Sequence, residues 1–413
     1  MPATMAGFAR QFGPFLDVRQ YGATGDGVTD DTAAILAAAA NAGEVFFPQG
    51  DYATSGYVPP ISGKRIVFQG AAQGAKITNT ALTSSNETCC LYCDGIGQPP
   101  GQEWLEVNDL QVVGNSTGGF GIRLDNVSQG ILKALQVENF TAPAGWGVGI
   151  MFGTDVFDVI VVNPVITGCT TAGISINAAC NANVVIGGWL MGTASGWALQ
   201  IAAGNGNRII GTIIQGPTNA ALGVQLYTGT NNSLEGCWVE NNATGVLADG
   251  TDHIIEGCFF SSNVVDIEVG ANSTNLLVRG CHFDTTPHIT LDAGSVGTVF
   301  EECTGLTLAN ITDNSGGKYI VRDCPGYNPV GSVAVAIPAS ATVQTAVPYD
   351  MWLYITAAST STVAVNVTNA AGTSQTVATI PASAPMVPVF IPAGSAWSLT
   401  YTTAPTALSA QGL

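Results

Sequence analysis

Two glutamates, Glu235 and Glu256, stand 21 residues apart in near-identical phrases, Leu-Glu-Gly-Cys-Trp-Val and Ile-Glu-Gly-Cys-Phe-Phe. If the phrases stack as neighbouring strands, the two carboxylates lie roughly 5 Å apart. That separation suits a retaining glycosidase, with one carboxylate as nucleophile and the other as acid, its pKa raised by the like charge. Trp238 and Phe259 follow the two glutamates at the same offset and would offer rings to sugar faces. Arg279, one repeat further on, and Trp189, two repeats earlier, complete the candidate substrate-binding set. Asp155 and Asp158, in Phe152-Gly-Thr-Asp-Val-Phe-Asp with Trp146 nearby in sequence, are further catalytic candidates. A plainer reading competes: Glu235, Glu256, Arg279, Glu301 and Arg322 form an exposed ladder whose opposite charges pair between neighbours.

The elements that must position these side chains are short and periodic. Cys237, Cys258, Cys281, Cys303 and Cys324 recur at intervals of 21, 23, 22 and 21 residues. A period near 22 residues built from short β-type runs is the signature of a coil-by-coil solenoid, a parallel β-helix. With the cysteines inward, strand alternation sends two columns outward. The first reads Ile186, Ile210, Glu235, Glu256, Arg279, Glu301, Arg322; the second reads Trp189, Ile213, Trp238, Phe259, His282, with a glycine bend between them. A continuous apolar stripe such as the second column calls for cover, by a subunit interface, a glycan groove or a loop. Asn183, Asn207 and Asn232 each stand four residues before their coil's glycine, and a recurring left-handed turn is expected there. About twelve coils give a rod on the order of 55–60 Å long.

Composition narrows the partners. Acidic residues outnumber basic ones 29 to 11. Nucleic acid and anionic membranes need cationic patches, so neither is expected as a partner. No apolar run is long enough for a membrane span, and residues 1–15 lack the apolar segment of a signal peptide. The cysteines are expected as reduced core thiols. Cys89, Cys90 and Cys93 contain one Cys-x-x-Cys but no second pair or spaced histidine, so no metal or cofactor is expected. Asp249 and Asp252 flank a turn before His253, Asp266 and Glu268 are expected to project outward on another sheet, and His282 and His288 stand isolated.

Residues 17–32 read Asp-Val-Arg-Gln-Tyr-Gly-Ala-Thr-Gly-Asp-Gly-Val-Thr-Asp-Asp-Thr, followed by an alanine-rich helix to Ala42 and by Pro48-Gln-Gly-Asp-Tyr52. Asp30 occupies the expected N-cap, Asp31 the first turn. Residues 16–52 closely resemble the N-terminal signature of the pectate-lyase-like superfamily. The resemblance implies a right-handed parallel β-helix whose first open end is plugged by the helix. The superfamily includes phage tailspikes, polysaccharide lyases and glycoside hydrolases, so it implies a fold and not a reaction. The acidic loop is read as turn and cap chemistry. Standard polygalacturonase motifs are missing, and so is the aspartate cluster of a calcium-dependent pectate lyase.

From residue 332 onward Ala, Thr, Ser, Val and Pro dominate, Asp350 is the only charged side chain, and runs such as Met351-Trp-Leu-Tyr-Ile alternate. This predicts a small antiparallel β-sandwich. The expected organisation is an arm at 1–16, a cap at 17–63, the β-helix at 64–331 and the sandwich at 332–413. The reading is all-β: a right-handed parallel β-helix with a short capping helix and a C-terminal sandwich, resembling a phage or prophage tailspike. Such a protein is expected in the virion tail, made in the host cytoplasm without a signal peptide. It would form a homotrimer, contact other tail proteins through the N-terminal arm, and bind a bacterial surface polysaccharide. Whether it also depolymerises that glycan stays open. The alternatives are a non-catalytic tail protein or adhesin and a free glycoside hydrolase or lyase.

Overall fold

The computed structural model describes residues 16–412, apart from 42–43, 56–65, 72–73, 81–88, 96–103, 115–118, 142–145, 194, 285–287, 326, 328–332 and 347. The arm expected at 1–16, and with it the contact to other tail proteins, lies outside the described residues except for Leu16.

Alternation within short strands builds three long parallel sheets. Sheet A runs through thirteen described strands, from Leu16–Asp17 to Tyr319–Arg322. Sheet B has eleven, from Asp26–Asp30 to His282–Phe283, and sheet C has ten, from Cys89–Asp94 to Ile311–Asp313. From Ile66–Gly70 to Ile289–Leu291 the described strands follow one another in the order A, B, C, and the inward side chains fill one continuous core. Ile209, Leu234 and Ile255 stack on sheet A, Ile214, Val239 and Phe260 on sheet B, and Val224, Val246 and Ile267 on sheet C, all fully buried. The chain is a parallel β-helix.

Its first end is closed by helix α1, Thr32–Asn41, whose Ile35, Ala38 and Ala39 enter the core. The N-cap is Asp31, one residue later than the sequence suggests, because the Asp31 carbonyl accepts the Ile35 N–H at 3.0 Å. The Asp31 carboxylate instead ties down the glycine loop, accepting the N–H of Thr24 at 2.7 Å and of Gly25 at 3.1 Å. Asp30 accepts from the Thr32 backbone and hydroxyl. Asp26 accepts from Thr29 and Val28, whose backbone N–H groups hold its pKa down at about 2.

All ten cysteines are buried thiols. In the ladder, the Sγ of Cys237, Cys258, Cys281 and Cys303 each donates to a carbonyl of the preceding coil at 3.5–3.6 Å. Burial pushes the thiols of Cys169 and Cys180 up to about 12 and about 11, far from the thiolate that reactive cysteines use. The bend beside each cysteine is left-handed, with φ of 60°, 62° and 59° at Gly236, Gly257 and Gly280. That region favours glycine, and it carries the chain from sheet A to sheet B.

The asparagine column differs from the left-handed turn expected for it. Asn183, Asn207 and Asn232 point into the core, and the residues just before them, Ala182, Gly206 and Asn231, take positive φ instead. Asn183 Nδ2 donates to Asn207 Oδ1 and Asn207 Nδ2 to Asn232 Oδ1, both at 3.1 Å. The Oδ1 atoms of Asn207 and Asn232 also accept the backbone N–H of the asparagine one coil earlier. This interior ladder satisfies backbone groups that a turn would otherwise leave buried and unpaired.

Strands between Val333 and Gly412 form two antiparallel sheets around their own core. One orders the strands Val333–Ala334, Ala407–Gly412, Met351–Thr356 and Val387–Ile391; the other orders Ser374–Ile380, Val363–Thr368 and Ala396–Thr400. Tyr349 packs against both this core and the solenoid's, meeting Tyr327 edge-on at 6.1 Å.

Candidate functional site

The two outward columns read from the sequence are real in the register. Ile210, Glu235, Glu256, Arg279, Glu301 and Arg322 pair coil to coil on sheet A. Trp189, Ile213, Trp238, Phe259 and His282 pair likewise on sheet B. What each column can do follows from its contacts.

Glu235 and Glu256 are neighbours, but each is engaged by its own arginine. Arg208 grips Glu235 through both nitrogens, Nε at 3.0 Å and Nη2 at 2.7 Å, and Ser233 Oγ donates at 2.7 Å. Arg279 binds Glu256 from the opposite side at 2.6 Å and 3.2 Å, and Arg322 lies 3.9 Å from Glu301. Hydrogen bonding from Arg208 holds the Glu235 carboxyl below its ordinary pKa. An ionised carboxylate is what the nucleophile of a retaining pair needs, and a proton donor needs the reverse. The column is a set of ion pairs that includes Arg279. Arg208 was missed because it stands in the other outward column of sheet A, opposite Ser233, and reaches diagonally to the next coil.

The aromatic column also closes on itself. Trp238 stacks on Phe259 with centroids 4.3 Å apart, and Phe259 on His282 at 4.9 Å with planes within 18°. Both faces of Phe259 are therefore covered, and sugar stacking needs an open ring face. Trp189 is half-buried, its Nε1 enclosed without an acceptor. The stripe stays apolar toward solvent: Ile213 and Trp238 are each 45% exposed, and Ile186 on adjacent sheet A is 38% exposed. Asp155 and Asp158 lie elsewhere, exposed in the turn from sheet C to sheet A with φ of 51° and 53°. Asp158 fills the same left-handed corner as Ala182, Gly206 and Asn231 in later coils, which is turn chemistry. The register does not bring either aspartate onto the strands that carry Glu235 and Trp238.

Sheet C carries a constellation that the sequence reading missed. Asp94 and Asp125 end paired strands directly opposite each other, and both are buried. Arg123 Nε donates to Asp125 Oδ2 at 2.7 Å, while Asp125 Oδ1 is enclosed without a hydrogen-bond partner. Asp94 accepts from Asn126 Nδ2 at 2.8 Å and from the Tyr92 hydroxyl at 3.3 Å. The Arg123 guanidinium lies over the rings of Tyr92 and Phe120 at 5.3 and 5.6 Å, and Trp146 packs beside Phe120. Burial, reinforced by Asp125, pushes the Tyr92 phenol up, so it stays a neutral donor. A carboxylate pair, one cation and a neutral phenol can hold sugar hydroxyls or exchange a proton with them.

Further along sheet C the outward column continues through Gln200, Gln225, Leu247, Glu268 and Thr290. Gln200 donates to Gln225, and Trp197 and Tyr227 flank them in sequence. Desolvation, then the nearby Asp292, raises the Glu268 carboxyl. Asp266 departs from expectation: it is buried, accepting from Asn263 Nδ2 and the His288 backbone. Among the described residues no cluster of three or more His, Cys, Asp or Glu side chains could hold a metal, and Cys90 and Cys93 lie in the apolar core. No helix of the described residues is long and apolar enough to cross a membrane.

Residues 15–110 match the family model "Rhamnogalacturonase A/epimerase, pectate lyase-like". Comparison with curated proteins gives no match. Among solved structures, ORF18 of Geobacillus virus E2 aligns with a TM-score of 0.52 at 15% identity, covering 99% of this chain and 77% of that one. The catalytic unit of a GH87 α-1,3-glucanase from Streptomyces thermodiastaticus aligns with a TM-score of 0.51 at 16% identity, covering 76% of this chain and 69% of that one. The fold shared with both structures is the parallel β-helix, and the pectate-lyase-like match covers its first coils. The viral match spans nearly the whole chain, terminal sheets included.

Proposed function

We propose that this is a tailspike-like tail protein of a phage or prophage that binds a bacterial surface polysaccharide along sheet C. The observation that carries this reading is the contrast between two faces. The sheet B stripe is apolar, and its central ring, Phe259, has both faces stacked on Trp238 and His282, which suits another copy of the chain in a homotrimer. The outward column of sheet C instead carries Gln200, Gln225, Glu268 and Thr290, with Trp197 and Tyr227 near it in sequence, a mixture that neutral or weakly charged sugars require. The viral origin of the match covering 99% of the chain supports a place in a virion. The excess of 29 acidic over 11 basic residues disfavours strongly anionic glycans.

Depolymerisation is the second reading: Asp125 is ion-paired with Arg123, as Glu235 is with Arg208, but it keeps one carboxylate oxygen without a partner opposite Asp94. Incubating the full chain with an array of purified bacterial surface polysaccharides, then measuring bound protein and glycan chain length, tests both readings. Retention on at least one polysaccharide is expected, weakened in Gln200→Ala and Gln225→Ala. Shortened chains with the wild type but not with Asp125→Asn would establish cleavage. A folded chain retained by none of the polysaccharides would refute the proposal.

A further inference from the structure

The four-stranded sheet of the C-terminal unit has one face in the core and one outside. Met351, Leu353 and Ile355 are buried, so alternation forces Trp352 and Tyr354 outward. Phe390 lies directly across from Trp352 on one neighbouring strand, and Gln411 directly across on the other. We propose that this outer face is a second glycan-binding platform, selective for neutral sugars. The proposal rests on the polysaccharide-binding reading and adds a second place of contact to it.

Ring geometry separates this face from the sheet B stripe. Trp352 and Phe390 have centroids 5.3 Å apart with planes inclined by 57°, so they are not stacked in parallel, and neither is sandwiched between two rings as Phe259 is. An open π face carries partial negative charge and attracts the C–H groups of a pyranose. Phe390 is 39% exposed although it sits mid-strand. A polar edge adjoins the rings: the Tyr354 hydroxyl donates to Gln411 Oε1 at 3.1 Å, which fixes the carboxamide beside them. The carboxamide nitrogen brings two N–H donors of the kind sugar hydroxyls accept.

Charge selects the occupant. Asp350 is the one charged side chain in residues 332–413, and its carboxylate accepts the Ala393 N–H at 2.7 Å. The platform therefore has neither a cation for an acidic sugar nor a second carboxylate for a basic one. Rings with an amide at their side, on a surface without charge, complement a neutral glycan.

The test uses the full chain as wild type, Trp352→Ala, Phe390→Ala and Gln411→Ala on an array of neutral and acidic bacterial polysaccharides. Native mass is measured by light scattering on the same samples. All three substitutions lie on the outer face, so folding should survive, and an unchanged unfolding midpoint checks this. The expected result is about a tenfold loss of apparent affinity for neutral glycans when a ring is removed, at unchanged mass. Variants that bind as tightly as the wild type would overturn the platform while leaving the solenoid reading intact. A fall in native mass would overturn it too, making the face a subunit contact. A wild-type chain that binds no glycan would remove the parent reading and the platform with it.

Discussion

Phe259 stacks on Trp238 one coil before it, with centroids 4.3 Å apart and planes within 29°. The same contact that stiffens the stripe removes ring faces from solvent and leaves an apolar surface. Burying exposed apolar area against another copy gains roughly 25 cal/mol per Å². Trp238→Glu would place a charge in such a contact, where an unpaired ion costs several kcal/mol. The variant is expected to sediment as a single chain of 42.2 kDa, against three chains for the wild type.

Glu235→Gln separates the two readings of the charged column. Because Arg208 lowers the Glu235 pKa from 4.5, its contribution to stability is present above that value and fades as pH falls through the folded pKa. The pair is partly exposed, so the loss at neutral pH should stay under about 1 kcal/mol. Urea titrations of the two proteins should converge in acid, and binding and any turnover should be unchanged.

Asn207 makes four ladder contacts, two through Nδ2 and two through Oδ1. Asn207→Leu leaves the Asn183 backbone N–H, the Cys180 carbonyl and the Asn232 amide oxygen with lost partners inside the core. The expected cost is about 3 kcal/mol or more, read as a lower unfolding midpoint.

His253 ends the asparagine ladder, its Nδ1 accepting the Asn232 N–H at 3.3 Å. That geometry needs neutral imidazole, and burial lowers the pKa from 6.5, against smaller opposing effects of the Tyr227 carbonyl, Asp252 and Asp249. The unfolded chain therefore takes up a proton that the folded chain refuses. Stability from this site is complete above pH 6.5 and declines as pH falls toward the folded pKa. His253→Asn would continue the ladder, and its unfolding midpoint should fall less between neutral pH and about pH 5 than the wild type's.

Much of the solenoid was legible because one inward cysteine per coil fixes the direction of every neighbour in a strand of period two. The pairings Ile213↔Trp238↔Phe259 follow directly from that register. The partners of Glu235 did not, since Arg208 reaches across a coil boundary that alternation does not describe. The asparagines were misplaced by one residue, because the turn's left-handed residue and its inward hydrogen-bonding residue are adjacent. Asp94 and Asp125 stayed hidden for a different reason: 31 residues separate them, against 21 to 23 in the cysteine ladder. The longer intervening segment masks the repeat. Only pairing of the strands shows the two aspartates opposite each other.

The central claim is that the sheet B stripe meets another copy while sheet C meets the glycan. Hydroxyl-radical footprinting of the full chain, free and bound to a polysaccharide that retains it, tests both halves together. The prediction is that Trp238 and Phe259 are already protected in the free protein, while Trp197 and Tyr227 react and become protected on binding. Reactive Trp238 and Phe259 that the glycan protects, with Trp197 and Tyr227 unchanged, would contradict the account.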